Sequence, residues 1–87
     1  MGRTNATYRD TLRGIESEWS EFQRALRRED QQHFDRLFEH ARRYADAAGH
    51  QNPTDPMPAV LLSMVLAQER ERERLAERVA ELEERIE

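Results

Sequence analysis

Pro58-Ala-Val-Leu-Leu-Ser-Met-Val-Leu-Ala67 decides the fold of this chain, because it runs without a break into a charged C-terminal stretch. Gln68-Glu-Arg-Glu-Arg-Glu-Arg74 and a Glu/Arg-rich tail to Glu87 extend it without a Gly or Pro. The whole stretch from Pro56 reads as one helix of roughly 48 Å at about 1.5 Å per residue. Its first half is apolar on nearly every side, which demands a closed packing site. Its second half is charged with one apolar seam, which demands a partner helix along a narrow stripe.

That seam has a heptad pattern. Val65, Arg72, Val79 and Ile86 hold one set of positions, and Gln68, Leu75 and Leu82 hold the other. Val and Ile in the first set with Leu in the second favours a parallel dimer, across which Arg78 and Glu83 would attract. Gln68 and Arg72 interrupt the seam, leaving about two good heptads, too few to hold a coiled coil alone. The apolar half of the helix is therefore expected to share the interface. The residues expected to form it are Leu61, Met64, Val65, Leu75, Val79, Leu82 and Ile86. The expected partner is a second copy of the chain, in a dimer or a tetramer.

Upstream, the apolar residues also recur at helical spacing. Tyr8, Leu12, Ile15, Trp19, Phe22 and Leu26 form one face of a helix expected over 8–28, capped by Thr7. Gly14 on that helix is expected to admit a close neighbour. Phe34, Leu37, Phe38, Ala41, Tyr44, Ala45 and Ala48 form the buried stripe of a second helix, expected over 30–48. Asp30 is its expected N-cap, after a short turn at 28–30. Gly49 is expected as a left-handed C-terminal residue. The loop His50 to Asp55 turns at Asn52-Pro53, Thr54 or Asp55 caps the last helix, and Pro56 takes its first position. Pro58 still falls in the first turn, where a missing N–H costs little.

The fold class expected is all-α: residues 1–7 as an N-terminal arm, then a single helical domain over 8–87. It comprises a helical hairpin plus a long C-terminal helix (56–87) in a coiled-coil-like homo-oligomer. Size supports the last element. At 87 residues, a chain buries only about 60–65% of its unfolded surface, and oligomerisation is a usual remedy.

Composition excludes several function classes. With 37% of residues hydrophobic and 37% charged, strong periodicity argues for folded helices rather than disorder. Absence of Cys removes disulfides, thiolate metal sites and cysteine catalysis. No N-terminal apolar segment follows Arg3, so no signal peptide is expected and the cytoplasm is the expected location. The run from Ala59 to Ala67 is about half a membrane span. Asn5-Ala6-Thr7 has the form of a glycosylation acceptor, which without export has no use.

Chemistry-bearing constellations are few. His33 and His40 share a helix face, but two turns, about 10.5 Å, separate them, so no metal ion is expected. Ser17, Ser20 and Ser63 have no nucleophile motif around them, the glycines at 2, 14 and 49 form no phosphate loop, and the carboxylates lie on solvent faces. The chain is expected to be no enzyme and to need no cofactor. In Glu69-Arg-Glu-Arg-Glu-Arg74, period-two alternation places like charges at i,i+4. Attraction is left to i,i+3 pairs such as Glu69–Arg72 and Glu71–Arg74.

All 14 basic residues are Arg, and the net charge is −4. Residues 1–43 hold nine Arg against eight acids (+1), and residues 44–87 five Arg against ten acids (−5). Arg24, Arg27 and Arg28 close the first helix; Arg42 and Arg43 close the second. Such cations complement a helix C-terminus. The alternative is phosphate contact by Arg24, Arg27, Arg28, Arg42 and Arg43, helped by Arg3, Arg9 and Arg13, in a DNA-associated protein. An acidic chain lacking aromatics interleaved with its Arg does not favour that alternative. A Lys-free, acid-rich surface points to a salt-loving or GC-rich source.

Arg3-Thr4-Asn5, Tyr8-Arg9-Asp10, Phe34-Asp35-Arg36-Leu37-Phe38-Glu39-His40-Ala41-Arg42, Ala45-Asp46-Ala47-Ala48-Gly49, Gln51-Asn52-Pro53, Asp55-Pro56 and Leu61-Leu62-Ser63-Met64 resemble a group of small haloarchaeal proteins of unknown function. The resemblance covers nearly the whole chain. It implies a halophilic source and assigns no catalytic residue.

Overall fold

The computed structural model describes residues 4–51 and 54–86, without the side chains of residues 4–7. Among these residues the only regular elements are helices: α1 (Thr4–Glu18), α2 (Ser20–Ala25), α3 (Arg28–Arg43), α4 (Ala45–Ala48) and α5 (Met57–Ile86). The all-α expectation holds, as does the hairpin with a long last helix after it. The turn expected at Asn52-Pro53 lies outside the described residues.

α1 and α2 form one nearly continuous path, bent at Trp19. Its backbone leaves the helical region (φ −98°, ψ 15°), and its N–H is shared between the carbonyls of Ile15 and Glu16. The chain is already helical at Thr4, the first described residue, so Thr7 lies inside the helix rather than at its cap. A second bend, at Tyr44 (φ −105°, ψ 21°), separates α3 from α4. Helix resumes directly after each, at Ser20 and at Ala45.

The corner of the hairpin is at Leu26–Arg27, nearer the N-terminus than the expected turn at 28–30. Both residues are extended, with ψ of 156° and 151°, and Arg27 takes the N-cap position expected for Asp30. No Gly or Pro is needed, because glutamines satisfy the freed backbone. Gln31 Nε2 donates to the Leu26 carbonyl (3.2 Å). Gln23 Nε2 donates across the corner to Asp35 Oδ1 (2.6 Å) and to the Gln31 carbonyl (3.4 Å). Side chains so supply the partners that buried backbone groups require.

Two glycine expectations are overturned. Gly49 is right-handed (φ −65°, ψ −14°), since the chain continues in a helical turn through His50 and Gln51. Nothing approaches the position a Cβ would occupy on Gly14, so no helix uses its missing side chain. At the start of α5, Asp55 Oδ1 accepts from the Met57 N–H (3.4 Å). The Pro56 carbonyl accepts the first intrahelical bond, from Val60. Pro56 therefore stands just before the first helical position rather than in it.

The core is built where α1, α3, α4 and α5 meet: Tyr8, Leu12, Phe34, Phe38, Ala41, Ala45, Ala48, Val60 and Met64. α3 and α4 form the middle, with α1 packed on them and α5 along α3. Alanines at 41, 45 and 67 are fully buried and allow close helix approach. Ser63 is also buried; its hydroxyl donates to the Ala59 carbonyl (2.8 Å), the local bond a buried helical serine makes in an apolar wall. Trp19 and Phe22, expected in the core, are exposed instead, because α2 past the bend rests on α3 and leaves their outer sides uncovered. Trp19 meets Phe22 edge-on at 5.3 Å, Phe22 meets Phe34 at 6.0 Å, and Phe34 meets Phe38 at 5.2 Å.

Ion pairs tie the hairpin's outer side. Arg42 reaches Glu16 at 3.0 Å and Arg9 reaches Asp46 at 3.6 Å. Both are partly exposed and contribute about 1 kcal/mol or less each.

Gly14→Ala should raise stability by about 0.5–1 kcal/mol in chemical denaturation, because a helical glycine with open space around it loses backbone entropy for nothing. Gln31→Ala should lower it by about 1 kcal/mol, leaving the Leu26 carbonyl short of its donor.

Candidate interaction surface

α5 has two apolar stripes. At about 3.6 residues per turn, Val60, Met64, Ala67 and Glu71 line up on one side. The first three are buried and Glu71 is half-buried, so this is the stripe the hairpin covers. Leu61, Val65, Leu75, Val79, Leu82 and Ile86 line up roughly 90° further round. All six are exposed, from 42% at Leu82 to 83% at Ile86. Of the residues expected at an interface, Met64 alone is buried within the chain, 8% exposed in its core. Axial position explains this: Met64 lies one turn after Val60, level with the hairpin, whose cover of α5 ends at Glu71. Leu62 and Leu66 add exposed apolar surface on the side away from the hairpin.

Gln68 and Arg72 occupy the middle of the exposed stripe. Gln68 also lines a shallow groove with Phe22, Leu26, Phe34 and Leu37, so the stripe and the apolar side of the hairpin corner adjoin. His33 and His40 rim the same groove. Arg72 does not stand as a free charge. Its Nε and Nη2 grip both oxygens of Glu69, at 3.2 and 2.9 Å, and Glu73 lies 3.5 Å away. The hydrogen bond from Arg72, then its charge, hold the Glu69 carboxyl below the usual glutamate range. The expected i,i+3 pairs Glu69–Arg72 and Glu71–Arg74 are both present, at 2.9 and 3.8 Å. Arg78 pairs within its own helix with Glu81 at 3.2 Å.

The amount of exposed surface is itself informative. A compact monomer of 10.4 kDa exposes about 5,400 Å², whereas this chain exposes 7063 Å². The excess of about 1,700 Å² exceeds the roughly 800 Å² that each partner contributes to a standard interface. The radius of gyration agrees, at 16.4 Å against about 12 Å for a compact chain of this length. α5, about 45 Å long, outreaches α3 at about 24 Å.

The arginine clusters do not converge. Arg24, Arg27 and Arg28 surround the hairpin corner, while Arg42 and Arg43 lie at the other end of α3, about 22 Å away. Arg42 is engaged by Glu16, and Arg28 shares a polar hollow with Glu29 and Asp35. Arg13 pairs with Asp10 at 2.9 Å and Arg9 with Asp46; Arg3 lies outside the described residues. Among those residues no three His, Asp or Glu side chains are grouped as metal ligands, and no helix is long and apolar enough to cross a membrane. Tyr8 Oη, Tyr44 Oη and His40 Nδ1 are buried atoms without hydrogen-bond partners there. Burial pushes the Tyr8 hydroxyl pKa up.

The chain belongs to the family described as Domain of unknown function (DUF8156), which matches it over residues 1–87. No curated protein and no solved structure matches it significantly.

Arg72→Gln should return the Glu69 titration midpoint, measured by carboxyl NMR, to the ordinary glutamate range. With a depressed folded-state pKa, the Glu69–Arg72 bond is in place above that range and is lost as pH falls through the Glu69 midpoint. A midpoint indifferent to the substitution would show that the two-point grip does not persist in solution.

Proposed function

We propose that this member of a family of unknown function is a non-enzymatic interaction protein, a small adaptor or regulator that assembles with copies of itself through α5. One observation carries the proposal: the exposed face of Leu61, Val65, Leu75, Val79, Leu82 and Ile86 on a helix already anchored by its other side. Apolar surface of this extent marks an interaction site in a monomeric fold. Each fully covered Leu, Val or Ile contributes about 1.5–3 kcal/mol, enough in sum to overcome the cost of association.

The setting that suits such an assembly is a salt-rich cytoplasm. With 14 Arg, no Lys and net charge −4, the surface keeps short bidentate pairs, while high salt screens longer-range repulsion between acidic copies. An interface driven by apolar burial keeps its strength there.

Light scattering at high salt and micromolar concentration should report a dimer or larger species; a monomer would end the proposal. Leu75→Asp should weaken association more than about 100-fold, because a symmetric interface meets the buried charge twice. Leu75 is 63% exposed in the single chain, so circular dichroism should show helix content retained.

A further inference from the structure

Resting on the reading of α5 as a self-association helix, we infer its orientation and register: two copies pair antiparallel, centred on Arg70. The order of residues along the exposed face motivates this. Outward from position 70, Gln68 and Arg72 are equidistant, then Val65 and Leu75, then Leu61 and Val79, then Pro58 and Leu82. The face is therefore close to palindromic in polarity. A two-fold interface requires a surface complementary to itself, and a helix read backwards against its copy satisfies that only if its pattern reverses onto itself.

In this register apolar meets apolar: Leu61 with Val79 of the second copy, Val65 with Leu75, and the reciprocal pairs. The interrupting residues meet each other, with Gln68 against Arg72. An amide oxygen accepts from a guanidinium that Glu69 has already neutralised at 2.9 and 3.2 Å. Slipping by one heptad would set Gln68 against Val79 and Arg72 against Leu75, stranding polar groups opposite apolar ones. A parallel pair would set Arg72 against its own copy at the centre, two guanidinium donors with no acceptor between them, and this opposes the preference of Val, Ile and Leu positions for parallel strands. Glu69 and Glu71 face their copies on the flanks of the antiparallel pair, and Arg72 and Arg74 lie against them.

The antiparallel arrangement also explains why α5 outreaches its hairpin. The projecting turns of each copy lie along the apolar half of the other, beside Leu61 and Val65, where the groove of Phe22, Leu26 and Leu37 adjoins the stripe at Gln68. Leu62, 69% exposed, comes between Ala76 and Ala80 of the second copy.

The chain has no cysteine, so single spin labels can be placed cleanly at exposed positions off the face. Glu84→Cys and Arg70→Cys serve, with distances measured by pulsed electron paramagnetic resonance. Paired about position 70, Glu84 and its copy are about 28 residues apart along the axis, about 42 Å, while the labels at 70 are within about 20 Å across two helix widths. A long distance at 84 with a short one at 70 is the expected result. Short distances at both positions overturn the orientation and leave self-association standing. About 20 Å at 84 with a lengthened distance at 70 overturns the register. Absence of any dipolar signal at both overturns this inference together with the proposed function.

Discussion

The structure depends on α5 being apolar on more of its circumference than one hairpin can cover. α3 and α4 take the stripe of Val60, Met64 and Ala67. A helix in a layered fold buries one stripe and wets the rest, and α5 instead keeps a second stripe roughly a quarter-turn away. Shape and exposed area are consequences of this. A chain that spent its last turns on its own core would be more compact; this one extends them.

The hairpin is the anchor that makes such a helix workable. A lone amphipathic helix of this charge density would be marginal in water. By clamping the first half of α5 through small residues at Ala41, Ala45 and Ala67, the hairpin holds the helical backbone on which the charged half propagates. Ion pairs at i,i+3 then support the projecting turns, each by a few tenths of a kcal/mol. These pairs also shape the charge on the surface. They gather Glu69, Arg72, Glu71 and Arg74 into locally neutral units, so the interruption of the apolar face need not strand a naked charge.

The polar groups with chemical potential are dispersed among the described residues. The buried serine is tied to its own helix, His33 and His40 rim an open groove two turns apart, and the arginines of the hairpin are divided between two ends of α3. What remains organised over a long distance is apolar surface.

Much of this was legible in the sequence because periodicity is a local property. Spacings of three and four placed Tyr8, Leu12, Phe34, Phe38 and Ala41 on inward faces, and the unbroken run from Pro58 announced α5. The pairs Glu69–Arg72 and Glu71–Arg74 arise from helix geometry alone. Tertiary structure decided what depends on neighbours. Trp19 and Phe22 have the right phase but no element over their outer sides. Met64 has an apolar side chain like Leu61 but points at α3. The hairpin corner falls at Leu26–Arg27, since Gln23 and Gln31 reach backbone groups and a carboxylate that only the folded corner brings near. Gly49 and Gly14 looked special by residue type and proved ordinary, because a glycine matters only where φ turns positive or a neighbour crowds in. A sequence records how much apolar surface each helix carries; which of that surface stays open is settled by where the other helices run out.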